Sequence, residues 1–470
     1  MATYEQVRKD HLLKSNSRQA LFFATKRYDP NKETIIMLPG GLASQLERSK
    51  NKYNTTPQNY EKYENVWIDL GIIFKKEAKK LEINDKGRDK GDHIVIPNGP
   101  LESFAENPYD ETKKYFRDND FNYYSWGYDW RRPITESAEL LKDFLSKFKQ
   151  EVIKKFGKGR DPLPNTTILC HSMGGLVTKL FLNNVFNKNT TTKDVRKWMR
   201  RVITVATPFY GTGNHIHRYY RGQDPLNIIY GKKNICKLAG TMPGAYILMF
   251  LDQDSYTAYK RDIIKPELLR FPTRDMKDPD NIEVDPYDLN SMSYYPTWIK
   301  EDYISLSKNI RKKIIQDLPS SVIRDVYHIR ADGKTTNVEL KWKNINRIFN
   351  PKKDKLPLVG TRGKGDGTVP FWSARLAITP DTQIYNTRIA DNHSTLMEHI
   401  EVLRAVESII NKNKIPKYVR FSKDEVKKTQ LATKKAVNQF LNGVASNQFG
   451  IESKKAIDPK IWRRILNDVQ

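Results

Sequence analysis

Short apolar runs alternate with longer periodic stretches along this chain, and that alternation predicts its architecture. Residues 33–38 (Glu-Thr-Ile-Ile-Met-Leu) read as a buried strand that stops at Pro39-Gly40-Gly41. A second strand around Tyr123–Trp126 leads into Gly127-Tyr128-Asp129-Trp130-Arg131-Arg132. From Pro133 to Gly157, Leu140, Leu141, Phe144, Leu145, Phe148, Val152 and Phe156 recur at helical spacing, and Gly157 can close the helix. A strand at Thr167–Cys170 precedes a helical pattern over roughly Gly174–Phe186. Further strands follow at Arg201–Thr207, Asp325–Arg330 and Gln383–Arg388, and a helix from about Thr395 to Asn411 closes the series. Strands alternating with helices predict an α/β fold, a mostly parallel sheet with helices on both faces.

Two stretches break the alternation, residues 44–120 and 213–322, and each separates strands expected to be neighbours. Insertions of this kind sit over the active-site end of such sheets, so they are read as lid and cap regions of a core spanning residues 1–410. Within the first, Val66-Trp67-Ile68-Asp69-Leu70-Gly71-Ile72-Ile73-Phe74 is strongly apolar, which fits either a lid that contacts membrane or ordinary burial beneath the cap. Residues 411–470 form a basic tail, expected to be helical, with fourteen Lys or Arg against five acids, a net of +9. Such a tail can bind anionic membrane or stand as a solvated appendage.

The 470 residues are enough for one enlarged core, and the net charge of +26 favours anionic partners. No zinc-finger, basic-zipper or RNA-binding signature accompanies that charge, so nucleic acid is not an expected partner. Peripheral contact with anionic membrane stays open, and nothing indicates an oligomeric state. Two cysteines, Cys170 and Cys236, exclude a disulfide framework. The first residues hold no apolar run of signal-peptide length and no segment is long enough to span a bilayer, so a reducing cytoplasm is the expected compartment.

The candidate chemistry lies at His171-Ser172-Met173-Gly174-Gly175, between a strand and a helix. A sharp strand-to-helix turn lifts a serine hydroxyl above the sheet and aims the helix N-terminus at it. Gly174 fills the second glycine position of G-x-S-x-G, and Cys170, small enough for the site, stands at the first. This looks like an α/β-hydrolase with Ser172 as nucleophile. Such a nucleophile needs a base, and the base an orienting acid, in the chain order serine, acid, histidine. Asp366 lies in the glycine-rich turn Gly363-Lys364-Gly365-Asp366-Gly367-Thr368-Val369-Pro370, after a predicted strand. Its rival Asp391 is poorly spaced to reach His393 two residues away. His393 follows the last predicted strand and is the candidate base. The oxyanion requires two N–H donors, expected from Met173 and from Gly41, with Leu42 as the alternative to Gly41. No metal or organic cofactor is expected.

These residues resemble the lecithin:cholesterol acyltransferase-like group, which includes lysosomal phospholipase A and phospholipid:diacylglycerol acyltransferase. Leu38-Pro39-Gly40-Gly41-Leu42-Ala43-Ser44-Gln45-Leu46-Glu47 is similar to its oxyanion-loop signature, and Val66-Trp67-Ile68-Asp69 to its lid-flanking segment. Tyr128-Asp129-Trp130-Arg131, His171-Ser172-Met173-Gly174-Gly175 and Gly365-Asp366-Gly367-Thr368-Val369-Pro370 match further motifs in order. Ala206-Thr207-Pro208-Phe209-Tyr210-Gly211 and Met242-Pro243-Gly244-Ala245-Tyr246 resemble weaker landmarks. The resemblance runs from about residue 33 to 410. It implies hydrolysis or transfer of fatty acyl groups from glycerophospholipids and related lipids, with Leu42 and Trp67 as candidate substrate contacts. The lid disulfide of secreted members cannot form here. Two other readings remain at this level: a soluble carboxylesterase or thioesterase, and a non-catalytic membrane- or partner-binding scaffold.

Overall fold

The computed structural model describes residues 2–53, 62–67, 77–100, 109–213, 232–252, 255, 273–275, 287, 298–342, 358–389, 392–412 and 414–416. Its strands in chain order are β1 (Thr34–Leu38), β2 (Ser44–Ser49), β3 (Tyr63–Trp67), β4 (Val95–Pro100), β5 (Asn122–Ser125) and β6 (Thr166–His171). They continue with β7 (Arg201–Val205), β8 (Thr273–Asp275), β9 (Val326–Ala331), β10 (Lys334–Trp342), β11 (Leu358–Gly365) and β12 (Ile384–Thr387). The principal helices are α1 (Tyr4–Lys26), α2 (Asp110–Asp118), α3 (Ile134–Phe156), α4 (Met173–Val185), α5 (Glu301–Ile314) and α6 (Ile400–Lys412).

Among the described residues, six strands form the central sheet in the order β12-β9-β7-β6-β1-β5, and every neighbouring pair is parallel. Alternate side chains divide between two apolar layers, as the pleat requires. Ile36, Leu38, Ile168, Cys170, Val202 and Val326 join the core that includes α3 and α4. Ile35, Met37, Leu169, Ile203, Val205 and Tyr327 join the second core, with Val402, Leu403, Val406 and Ile409 of α6. Both faces are therefore covered, and the α/β expectation holds. From β1 the chain steps outward to edge strand β5, then returns across β1 to β6 and proceeds the other way. That reversal opens a crevice at the carboxyl ends of β1 and β6, where ligands bind in open α/β sheets.

Two smaller sheets accompany the central one. Antiparallel β3-β2-β4 lies within the first predicted insertion, and β11-β10-β8 ends immediately before Asp366. The strand predicted before the acid, Asp325–Arg330, is β9 of the central sheet, whereas Leu358–Gly365, whose last residues fall in the predicted glycine-rich turn, pairs with β10 in a hairpin outside that sheet. Residues 68–74 of the apolar run, and the tail from residue 417 onward, lie outside the described residues.

Helix α1 is an element the periodicity does not predict. Its buried positions include Arg8, His11, Ser15, Asn16 and Gln19, so no apolar stripe marks it. Polar pairing replaces that stripe. Arg8 Nη2 donates to Glu136 Oε1 of α3 at 2.8 Å, Asn16 Nδ2 donates to the Leu140 carbonyl at 2.8 Å, and Tyr4 Oη donates to Asp89 Oδ2 at 2.7 Å. Asp89 in turn meets Arg131 and Arg132, each at 2.9 Å. Burial alone would raise the Asp89 carboxyl, but Arg132, Arg131 and Arg8 together hold it below the usual carboxylate range. The Tyr128-Asp129-Trp130-Arg131 motif thus ties the first insertion to the core.

Close backbone approach explains Gly174. A Cβ there would lie 2.6 Å from the carbonyl oxygens of both Leu38 and Pro39, because α4 crosses directly over the end of β1. Gly174→Ala is expected to cost about 1–3 kcal/mol through overpacking. A lower urea midpoint with an unchanged slope would bear this out, and an unchanged midpoint would contradict it.

Lys179, further along α4, is buried and donates to Asn183 Oδ1 at 2.7 Å and to the Gln316 carbonyl at 2.6 Å. Burial lowers its ammonium from 10.5 to about 7. Between those two values the unfolded chain holds the proton and the folded chain does not. The contribution of Lys179 to stability therefore rises with pH across that window, and its penalty is fully present below it. Lys179→Met is expected to remove this rise. Urea midpoints of both proteins at about pH 6.5 and about pH 9.5 measure it, and identical pH responses would contradict it.

Candidate active site

The crevice is bounded by the loop after β1 and the turn after β6. Ser172 occupies that turn with φ 51° and ψ −124°, a conformation costly for any residue with a Cβ. Gly175 N–H donates to the Ser172 carbonyl at 3.0 Å, and Ser172 N–H donates to the Val205 carbonyl at 2.9 Å. The elbow is thereby held from both sides, and the Ser172 side chain makes no helix-capping bond. Met173 is the first residue of α4, so no preceding helical carbonyl is available to its N–H. Cys170 is buried at the end of β6, as its apolar character predicts, with Sγ 3.0 Å from Thr178 Oγ1. Burial pushes its thiol up to about 12, which keeps it inert beside the serine.

His393 Nδ1 donates to Asp366 Oδ2 at 2.7 Å, bringing together the two residues that chain order pairs. The other carboxylate oxygen, Oδ1, accepts from Thr368 N–H at 2.9 Å and Val369 N–H at 2.7 Å. Asp366 is buried, and its position is fixed further by Gly367 N–H donating to Thr336 Oγ1 of β10 at 2.8 Å. Lys334, which begins β10, hydrogen-bonds to Asn392 Oδ1, so the hairpin holds the acid and the residue before the base. Asp391, the rival acid, lies outside the described residues.

The oxyanion loop is packed tightly onto the elbow. A Cβ on Gly40 would meet Ser172 Cβ at 3.2 Å and His171 Nδ1 at 3.3 Å, and one on Gly41 would meet Met173 Sδ at 3.1 Å. Leu42 has φ 69° and is 37% exposed, an apolar side chain on the loop after β1. Trp67, anticipated as a substrate contact, is buried against Trp130 with ring centroids 5.2 Å apart. Its indole N–H donates to the Leu42 carbonyl at 2.6 Å, so in this structure it braces the strained loop. Trp67→Phe is expected to lower kcat/KM about tenfold by loosening that loop, the scale of one lost hydrogen bond. Unchanged kinetics on a short soluble ester would contradict the brace.

Two more residues complete the surroundings: His171, which the motif places beside the serine but which is not a candidate base, and Tyr109, which the sequence does not mark. The His171 ring lies beside that of His393, with ring centroids 4.7 Å apart and planes tilted by 34°. Its Nε2 lies 3.0 Å from the His393 carbonyl, and its Nδ1 lies 2.9 Å from Tyr109 Oη. Burial, and then the neighbouring His393, hold its imidazole well below the usual range, so it is neutral. Tyr109 sits next to α2, far from the elbow in sequence, with no motif to mark it.

A parallel sheet covered on both faces, with a serine at the strand-to-helix elbow beside a reversal in strand order, defines an α/β-hydrolase fold. The sequence pattern of the family described as Lecithin:cholesterol acyltransferase matches residues 114–404, and the chain belongs to that family. That match includes the segments around Tyr128, Ser172 and Asp366 and begins beyond the Leu38–Glu47 motif. No curated protein sequence matches the chain. Among solved structures it is similar to a chain from "The crystal structure of Tle4-Tli4 complex", at 13% identity, over 81% of this chain and 98% of that one, with a TM-score of 0.48. It is also similar to the Bacillus licheniformis lipase BlEst2 in mature form, at 13% identity, over 83% of this chain and 95% of that one, with a TM-score of 0.32.

Proposed function

We propose that this protein is a serine-dependent lipid acyl hydrolase or acyltransferase acting on ester bonds of glycerophospholipids or related lipids. The observation that carries the reading is the hydrogen bond from His393 to the buried Asp366 carboxylate in a family member whose Ser172 is held at a strained elbow. Ser172 Oγ attacks the ester carbonyl as His393 Nε2 takes its proton. Asp366 fixes the imidazole with Nδ1 protonated and Nε2 bare, and it stabilises the imidazolium that forms. The amides of Gly41 and Met173 receive the oxyanion. His393 then returns the proton to the departing alcohol, leaving an acyl-Ser172 ester, and water or a second alcohol releases the acyl chain.

Lipid as the substrate class rests on the family, and an exposed Leu42 on the loop after β1 is compatible with it. The inserted regions, about 44–120 and 213–322, are assigned to a lid and cap over the crevice. Among the described residues no helix is long and apolar enough to cross a membrane, so the reading has the enzyme meeting lipid at the surface of a bilayer. Buried Cys170 and Cys236, neither of them in a disulfide, support a cytoplasmic location.

The test is incubation with mixed phospholipid vesicles and a lipophilic alcohol, with anionic and neutral vesicles compared. Free fatty acid or acyl-alcohol identified by mass spectrometry is expected, and the ratio of the two separates hydrolase from transferase. Turnover confined to small soluble esters would replace the lipid reading with a soluble esterase.

A further inference from the structure

A continuous set of hydrogen bonds joins the oxyanion loop to the backbone of the base without touching the reacting atoms. Gly40 N–H donates to Tyr109 Oη at 2.7 Å. Tyr109 Oη lies 2.9 Å from His171 Nδ1, and His171 Nε2 lies 3.0 Å from the His393 carbonyl oxygen. The direction of each bond follows from the chemistry at its ends. A carbonyl oxygen only accepts, so the single proton of the neutral His171 ring is on Nε2. Nδ1 is then bare and accepts, so the Tyr109 hydroxyl donates to it while accepting from Gly40. Tyr109 and His171 are both buried, and burial holds the phenol above its ordinary range, so neither group gives up its assigned role near neutral pH.

We infer that Tyr109 and His171 are positioning residues that lock the oxyanion loop and the base loop into one register. This inference rests on the proposed roles of Ser172, His393 and Gly41. The two loops come from opposite ends of the core, residues 39–41 and 393, with Ser172 between them. Helix α2, which Tyr109 precedes, is itself fastened to the base loop, since Thr112 Oγ1 donates to the Met397 carbonyl at 2.6 Å. Gly40 leaves little freedom on the other side, with its Cβ position 3.2 Å from Ser172 Cβ. Both donors and acceptors of the chain are therefore satisfied only when loop, elbow and base loop sit together. A misplacement of about 1 Å at such a point costs roughly a hundredfold in rate.

The test compares Tyr109→Phe and His171→Gln with the unaltered protein on a short soluble ester, following kcat, KM, the rate of fluorophosphonate labelling and thermal stability. Tyr109→Phe keeps the ring and its packing and removes only the hydroxyl. It is expected to lower kcat and the labelling rate together by roughly ten- to a hundredfold, with KM nearly unchanged. His171→Gln retains an amide donor able to reach the His393 carbonyl, so it is expected to lose less than His171→Ala. The Tyr109→Phe/His171→Gln double variant is expected to lose less than the product of the single effects, because both act through one chain of bonds. Unchanged kcat and labelling in Tyr109→Phe, with the unaltered protein active, would overturn this inference and leave the proposed function standing. A loss confined to thermal stability would also overturn it, reducing the pair to packing. No labelling of the unaltered protein at all would overturn the functional reading instead.

Discussion

Ser172→Ala is expected to leave a folded protein that no longer turns over ester substrates, with kcat reduced on the order of a millionfold. The fold survives because the Ser172 side chain makes no helix-capping bond, and the elbow is held by main-chain bonds to Val205 and Gly175 that alanine keeps. The strain at φ 51° is unchanged, since alanine carries the same Cβ. What disappears is the hydroxyl that would form the acyl ester, and nothing nearby replaces it: the Cys170 thiol is buried with its titration raised to about 12. Steady-state hydrolysis of a chromogenic ester, with circular dichroism as the control for folding, measures the effect. Residual turnover within a factor of about ten of the unaltered rate would place the chemistry elsewhere.

Asp366→Asn is expected to lower kcat by about ten-thousandfold while leaving the local fold intact. The two oxygens of Asp366 have different duties, and the substitution separates them. Oδ1 accepts from Thr368 and Val369, and an asparagine oxygen serves there equally well. The amide nitrogen then faces His393 Nδ1, which can pair with it only as an acceptor. The imidazole proton moves to Nε2, and a ring protonated there cannot take the proton of Ser172. Because the defect is one of tautomer, the thermal midpoint should fall little while kcat collapses. Near-normal kcat in a folded Asp366→Asn protein would exclude this carboxylate as the orienting acid.

The parts of this molecule that announce themselves in the sequence are those governed by local rules. Strands β1, β6 and β7 carry continuous apolar runs (residues 35–38, 168–170 and 202–203) because they are buried on both faces, and α3 carries an apolar stripe because only one side meets the sheet. The elbow is legible for the same reason, since a strand, a serine and Gly174 must be consecutive. Helix α1 is hidden because ion pairs and amide bonds at Arg8 and Asn16 do the work that an apolar stripe would do. The β10–β11 hairpin hides because its partners are joined across residues 343–357 and its pairing register depends on tertiary neighbours. Trp67 was legible as a residue near the site but not as a brace, because its partner is a main-chain carbonyl at Leu42. Tyr109 and His171 were illegible together: their bond spans 62 residues of sequence, and neither type is diagnostic alone.

The most direct test of the account is to quench the protein during turnover of mixed phospholipid vesicles and map acylated peptides by mass spectrometry. A fatty acyl mass on the peptide carrying Ser172, absent from Ser172→Ala along with all released fatty acid, is the predicted result. Fatty acid released equally by both proteins, or an acyl group carried on a different residue, would contradict it.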